Sequence, residues 1–321
     1  MIRPGSFADG EKTMSRTFHY TVGSAAVAVI VATTVGLGGA GAGAGAGAAV
    51  RAPRIATTAA GATELTFTYA KHRLALTGPR TFAAGRIALS LESYGSEGEV
   101  AVVSFKAGYS FTKLQADLRA FGSSEGSTGP SKAGLRHLDD SIAHTTLYGG
   151  LDAGAGQTLT GTVVLPKAGT YYSYNDSGNV PAQPERLTVT AATGPTAASP
   201  ATATVTAVNG DRFGGASTLP ASGTIAFRNA STTSPHFLNL QQVKEGTTRA
   251  EVLKYLLSGS NAAPKFARPG AAGTDAVSPG HTQTLTYSLP KGEYVELCFF
   301  PDPKTGVPHA LMGMIRVVQL K

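Results

Sequence analysis

The sequence has no tryptophan, a single cysteine, four methionines and only 15% charged residues among 321. One cysteine rules out an intramolecular disulfide, so Cys298 is a partner for another chain, a buried bystander or a metal ligand. The 27 Lys and Arg outnumber the 20 Asp and Glu, for a net charge of +7. Yet they are scattered, with no basic run and no aromatic-interleaved basic motif, which argues against nucleic acid as a partner. Such a charge suits a mild attraction to anionic cell-envelope polymers or to an acidic protein partner. There is also no G-x-S-x-G elbow, no P-loop and no dinucleotide-binding fingerprint. These absences predict a protein that is not an enzyme.

What is abundant is glycine (40), proline (18) and short Thr/Val/Ser-rich runs, which together indicate an all-β chain with many connections. The length suits two domains and an export segment. Arg16 and His19 precede the apolar run Val22–Leu37, and a Gly/Ala tract with A-x-A-like sites follows. Residues 1–50 therefore read as a signal peptide or unstructured N-terminus, and the mature protein as extracytoplasmic, secreted or held in the cell envelope. An uncleaved segment would be the one point of contact with a membrane.

Past residue 60 the chain repeats itself. Gly85-Arg86-Ile87-Ala88-Leu89 aligns with Gly223-Thr224-Ile225-Ala226-Phe227, and the same offset carries Val100 onto Leu238, Gly108 onto Gly246 and Leu118 onto Leu256. After a middle region of different length, Leu165-Pro166-Lys167 aligns with Leu289-Pro290-Lys291. A long-period repeat sets the architecture ahead of any motif. Two tandem domains are expected, 62–192 and 200–321, joined by the small-residue, Pro-containing linker Ala191–Pro200. Alternating apolar residues mark strands in each, and each is expected to hold one short helix. In the second, Thr248 and Glu251 form a capping box, with Val252, Leu253, Leu256 and Leu257 on one face. In the first, Thr112 and Gln115 are the corresponding expectation, and His137, Asp139, Asp140 and His144 read as a solvated loop.

Two stretches of the second copy concentrate the chemistry: Ser234-Pro235-His236-Phe237-Leu238-Asn239-Leu240, and Tyr294–Val318. They hold the only cysteine, two of the seven histidines and two of the four methionines. Two imidazoles and a thiolate in a plane with a weak axial thioether constitute a mononuclear copper donor set. His at the start of a strand, then Cys, His and Met on one late stretch, with Pro308-His309, four residues, Met314 and a β-branched strand, resembles the cupredoxin (plastocyanin-like blue-copper) family. That resemblance implies an all-β protein of two tandem Greek-key β-sandwiches, the second binding one type 1-like copper through His236, Cys298, His309 and Met314. Met312 is the rival for the axial position.

The resemblance further implies electron transfer or copper handling with a redox or copper-delivery partner, and a partly exposed His309 as the exit for an electron. Ten residues, Phe299 to Pro308, separate the cysteine from the second histidine. Asp302-Pro303-Lys304-Thr305-Gly306 reads as a turn that folds this length back, since loop closure grows only logarithmically with length. In the first copy Gly98 stands at the register of His236 and Asn175 at that of Cys298, so it has no ligand set. With no His-x-His pair, the chain cannot hold the additional coppers of a multicopper oxidase. The other reading is a metal-free tandem sandwich that serves as a binding or structural module of the cell surface.

Overall fold

The computed structural model describes residues 18–22, 25–29, 62–126, 129–178, 180–191, 199–260 and 262–321. Of the expected export segment, Phe18–Val22 and Ala25–Val29 are described, paired as an antiparallel hairpin; the rest lies outside the described residues. Among the described residues no helix is long and apolar enough to cross a membrane.

Strands dominate because the sequence alternates. Gly85–Tyr94 buries Ile87, Leu89 and Leu91 on one face, and Ser222–Asn229 buries Ile225 and Phe227 in the same manner. Two sheets face each other over these side chains, giving a cupredoxin-like β-sandwich architecture in tandem. What the repeat alone did not reveal is that both sheets run unbroken through the two copies. The eight-stranded sheet has the order Arg212–Gly215, Ala203–Val208, Ser222–Asn229, Thr282–Ser288, then Thr158–Leu165, Gly85–Tyr94, Thr63–Ala70, Arg73–Thr77. The ten-stranded sheet likewise passes from second-copy to first-copy strands where Ala267–Thr274 meets Thr145–Ala153.

The seam has an approximate two-fold axis. At the junction of the eight-stranded sheet Gly161 pairs with Leu285, its own counterpart in the repeat, flanked by Thr160 with Thr286 and Thr162 with Thr284. Equivalent residues meeting across an antiparallel pair is the geometry of an isologous dimer, achieved here within one chain. Two sheet edges that separate domains would leave open are thereby paired. Gly161 is required at the centre, since a Cβ there would fall 2.1 Å from the Thr284 carbonyl oxygen.

Helix Arg249–Leu257 starts at the expected capping box: Thr248 Oγ1 accepts from the Glu251 amide and the Glu251 carboxylate accepts from the Thr248 amide. It packs Val252 and Leu256 on Val295, Leu297 and Ile315, outside the ten-stranded sheet. The first copy differs from expectation in two respects. Its helix Phe111–Ser123 is capped by Ser110, whose Oγ accepts from Lys113, rather than by Thr112. A second helix, Lys132–His144, occupies what read as a solvated loop. Ser131 caps it, Leu138 is buried along it, and His137 and Asp140 reach across to Asp117 and Lys113 of the preceding helix. Leu135, Leu138 and Ile142 carry a helical spacing that the polar residues between them obscured.

Candidate metal centre

Strand Gly292–Leu297 turns Tyr294, Glu296 and Cys298 toward the space between the sheets and Val295, Leu297 and Phe299 toward the helix Arg249–Leu257. Its neighbour Ile315–Leu320 pairs Leu297 with Ile315 and Glu296 with Arg316. The same register carried one step further sets Met314 opposite Cys298. Between them the ten-residue excursion closes as a hairpin-like loop: Pro301 bridges Pro308, Asp302 donates its amide to Val307 O and His309 donates to Phe300 O. The Ala310 amide then donates to Cys298 O at 2.7 Å, so the loop's length is absorbed and His309 stands beside the cysteine.

His236 arrives from the other edge. Its backbone exchanges two hydrogen bonds with Val277, which ends the segment after the seam. Asn229, wholly buried, fastens the approach: its Nδ2 donates to Ser234 O and Val277 O, and its Oδ1 accepts from the amide and hydroxyl of Ser231.

The three side chains meet in the core. Cys298 Sγ lies 3.7 Å from Nδ1 of His236 and 3.7 Å from Nδ1 of His309, and the two imidazoles stand 4.6 Å apart between centroids. All three residues are 0% exposed. Met314 is equally buried and belongs to the same apolar cluster as Cys298, whereas Met312 is 46% exposed. The expectation of a partly exposed His309 is therefore wrong. Its outer nitrogen, Nε2, is covered by Ser234 Oγ at 3.4 Å and by Asp211 Oδ1 at 3.8 Å.

Burial sets the electrostatics. It pushes the Cys298 thiol up to about 12, against the opposing pull of the Phe237 and Phe300 amides, which hydrogen-bond to the sulfur. It holds His236 down to about 3, helped by the neighbouring imidazole, and lowers His309 as well. At neutral pH the metal-free site is thus a thiol and two neutral imidazoles, with the imidazoles already in the form that binds a metal. Asp211 was missed in the sequence. It occupies the tip of the hairpin between Ala203–Val208 and Arg212–Gly215 with φ +49°, and its Oδ1 lies 3.8 and 4.0 Å from the outer nitrogens of both histidines. Nothing in a lone Asp after Asn209-Gly210 signalled this, because the hairpin reaches the site only through the packing of one sheet on the other.

The donor set fits copper. The sulfur lies 3.7 Å from each imidazole nitrogen, a separation that one metal ion can bridge, and two imidazoles with one thiolate are the donors of a blue-copper centre. The three donor atoms are too far apart for strong mutual hydrogen bonds and all lie within 4.8 Å of one another. His236, Cys298 and His309 together accommodate one type 1-like copper ion. The first copy cannot do the same: a Cβ at Gly98 would fall 2.6 Å from Cβ and Cγ of Tyr69, so no imidazole fits at the position matching His236.

Neither a protein-family profile nor a curated protein matches the sequence. Solved structures do. Auracyanin A, a blue copper protein from Chloroflexus aurantiacus, is 18% identical over 40% of this chain and 100% of its own, with a TM-score of 0.28. A multicopper oxidase aligns at 11% identity over 80% of this chain and 88% of its own, with a TM-score of 0.21. Copper nitrite reductase from Nitrosomonas europaea aligns at 12% over 81% of this chain and 94% of its own, with a TM-score of 0.20. The expectation that the chain is not an enzyme is corrected by two of these structures, the multicopper oxidase and the copper nitrite reductase, which are enzymes and align across both copies.

Proposed function

We propose that the protein is an exported mononuclear copper protein that transfers electrons or handles copper in the cell envelope. His236 and His309 would hold the ion through Nδ1 and Cys298 as thiolate, with Met314 as the thioether donor. The observation that carries this reading is the convergence, in a dry core, of one sulfur and two Nδ1 atoms on a common point. Copper bound there supplies one-electron chemistry between its two common oxidation states.

The chain's own residues do the rest. The amides of Phe237 and Phe300 stabilise negative charge on sulfur, and the Asn229 network holds His236 in place before any metal arrives. Asp211 faces the outer nitrogen of each imidazole, which favours the tautomer that leaves Nδ1 free for the metal. Burial of Met314 and exposure of Met312 support the former as thioether donor. A redox or copper-delivery protein is the partner, and the apolar, Gly/Ala-rich N-terminal segment supports a location outside the cytoplasm.

Titrating the purified full chain with Cu(II) tests this. An intense thiolate-to-copper absorption that saturates at one equivalent, and is lost in Cys298→Ala, is expected. Saturation without that band, or an unchanged band in Cys298→Ala, refutes it, and absence of stoichiometric copper binding refutes it in favour of the metal-free tandem sandwich.

A further inference from the structure

The seam between the copies buries more acid than it can neutralise. Glu99 and Asp176 of the first copy and Asp275 of the second each offer an oxygen, and these lie within 4.8 Å of one another. Among the described residues no ion pair reaches any of the three. They form one pole of a cavity of about 460 Å³ whose remaining wall is largely apolar, including Leu114, Phe121 and Phe300. Arg119 also lines this cavity without pairing with the carboxylates.

A second observation points to a ligand. Asp275 is 3% exposed; one carboxylate oxygen accepts from the Ala276 amide, but the other, Oδ2, is buried with no hydrogen-bond partner. Orphaned buried carboxylate oxygens are rare because each costs the full desolvation of the group. Here the orphan belongs to a residue that lines the cavity and stands beside two further carboxylates.

We propose that Glu99, Asp176 and Asp275 bind a divalent cation of the oxygen-seeking class, with Ca2+ the best fit, which clamps the two copies together at their seam. The donors are oxygen alone, which selects a hard ion over copper or zinc. Three oxygens at most 4.8 Å from one another lie within about 2.8 Å of a common centre, so a slight contraction brings each to the roughly 2.3–2.6 Å usual for calcium. Without a cation, burial drives Asp176 up to about 7, and burial together with the neighbouring carboxylates drives Glu99 and Asp275 well above the usual range, so that protons take the cation's place. The clamp is positioned by the fold: Asp275 follows directly on Thr274, which pairs with Leu151 across the seam, and the Asp176 amide donates to the carbonyl of Glu99.

The experiment uses the full chain, freed of divalent ions with EDTA, followed by calorimetric titration with Ca2+ and thermal unfolding. One Ca2+ per chain is expected, with Tm raised by roughly 5 °C at a hundredfold excess over Kd. Asp275→Asn and Glu99→Gln are each expected to weaken Ca2+ at least tenfold. Asp275→Asn is also expected to unfold, without Ca2+, no lower than the native chain, because the amide is neutral without having to take up a proton in the buried cluster; that keeps a lost site distinct from a lost fold. Failure of the native chain to bind Ca2+ at millimolar concentration overturns the proposal, as does unchanged Ca2+ affinity in both variants. Stoichiometric binding of Zn2+ or of an organic cation at these residues in place of Ca2+ also overturns it. Ca2+ does not compete for the sulfur and imidazole donors of the copper site, so the two readings fail independently.

Discussion

Replacing Arg316 with methionine should destabilise the protein in a manner that depends on pH. Glu296 is 0% exposed and faces the space between the sheets, where Arg316 grips it with Nε at 2.6 Å and Nη2 at 2.9 Å while Nη1 donates to Gly215 O. Burial and the guanidinium pull the carboxyl in opposite directions, and burial wins: it is raised from its ordinary 4.5 to about 7. A carboxyl raised on folding contributes stability that is complete below its unfolded value and is lost as pH climbs to the folded one. Removing Arg316 moves the folded value higher still, so this loss continues past pH 7 in the variant after it has ended in the native chain.

The cost of Arg316→Met should therefore be flat below about pH 7, at about 1 kcal/mol for the hydrogen bonds to a neutral acid. Above that it grows by about 1.4 kcal/mol per pH unit, toward the 3–5 kcal/mol usual for a broken buried pair. Urea unfolding at pH 5 and pH 8.5 measures both limbs. Adding Glu296→Gln should abolish the pH dependence and leave the flat part. A cost that is the same at both pH values refutes the reasoning. Because Glu296 and Arg316 stand two residues along the ladder from Cys298 and Met314, on the same face, the single variant should also broaden the copper spectrum, and the double variant should not.

The two methionines should separate cleanly. Met312→Leu leaves spectrum and potential unchanged, since the side chain faces solvent, whereas Met314→Leu shifts the potential, read by voltammetry of the copper-loaded protein. Copper uptake at pH 7 should release one proton per site: the thiol, held up to about 12, must ionise, while the imidazoles are already neutral. Binding therefore tightens about tenfold per pH unit across the neutral range, measurable by titration against a competing chelator or by calorimetry in buffers of different ionisation enthalpy. Thr248→Ala, which removes one half of the capping box, should cost about 1 kcal/mol in urea unfolding and leave the copper band intact.

The site was legible in the sequence to the extent that donor type and order define it. A thiol, two imidazoles and a thioether gathered into two short stretches are rare enough in a chain with one cysteine to be noticed. Proline and glycine at Asp302–Gly306 announced the turn that folds the intervening loop back. Legibility stopped where contacts depend on the packing of one sheet on the other. Asp211 and Asn229 carry no local signature of their task, and the burial of His309 follows from a hairpin about a hundred residues earlier in the chain. The helix Lys132–His144 was hidden by the polar residues that join it to its neighbour.

By itself the sequence determined the strand alternation, the duplication and the identity of the donors, because side-chain period and chemical type are properties of neighbouring residues. Only the tertiary structure decided that the copies share both sheets, that the thiol and the imidazoles meet in a dry core, and that Met314 rather than Met312 turns inward. Those outcomes depend on register and on which faces are buried, and a one-residue slip along any of these strands would have reversed them.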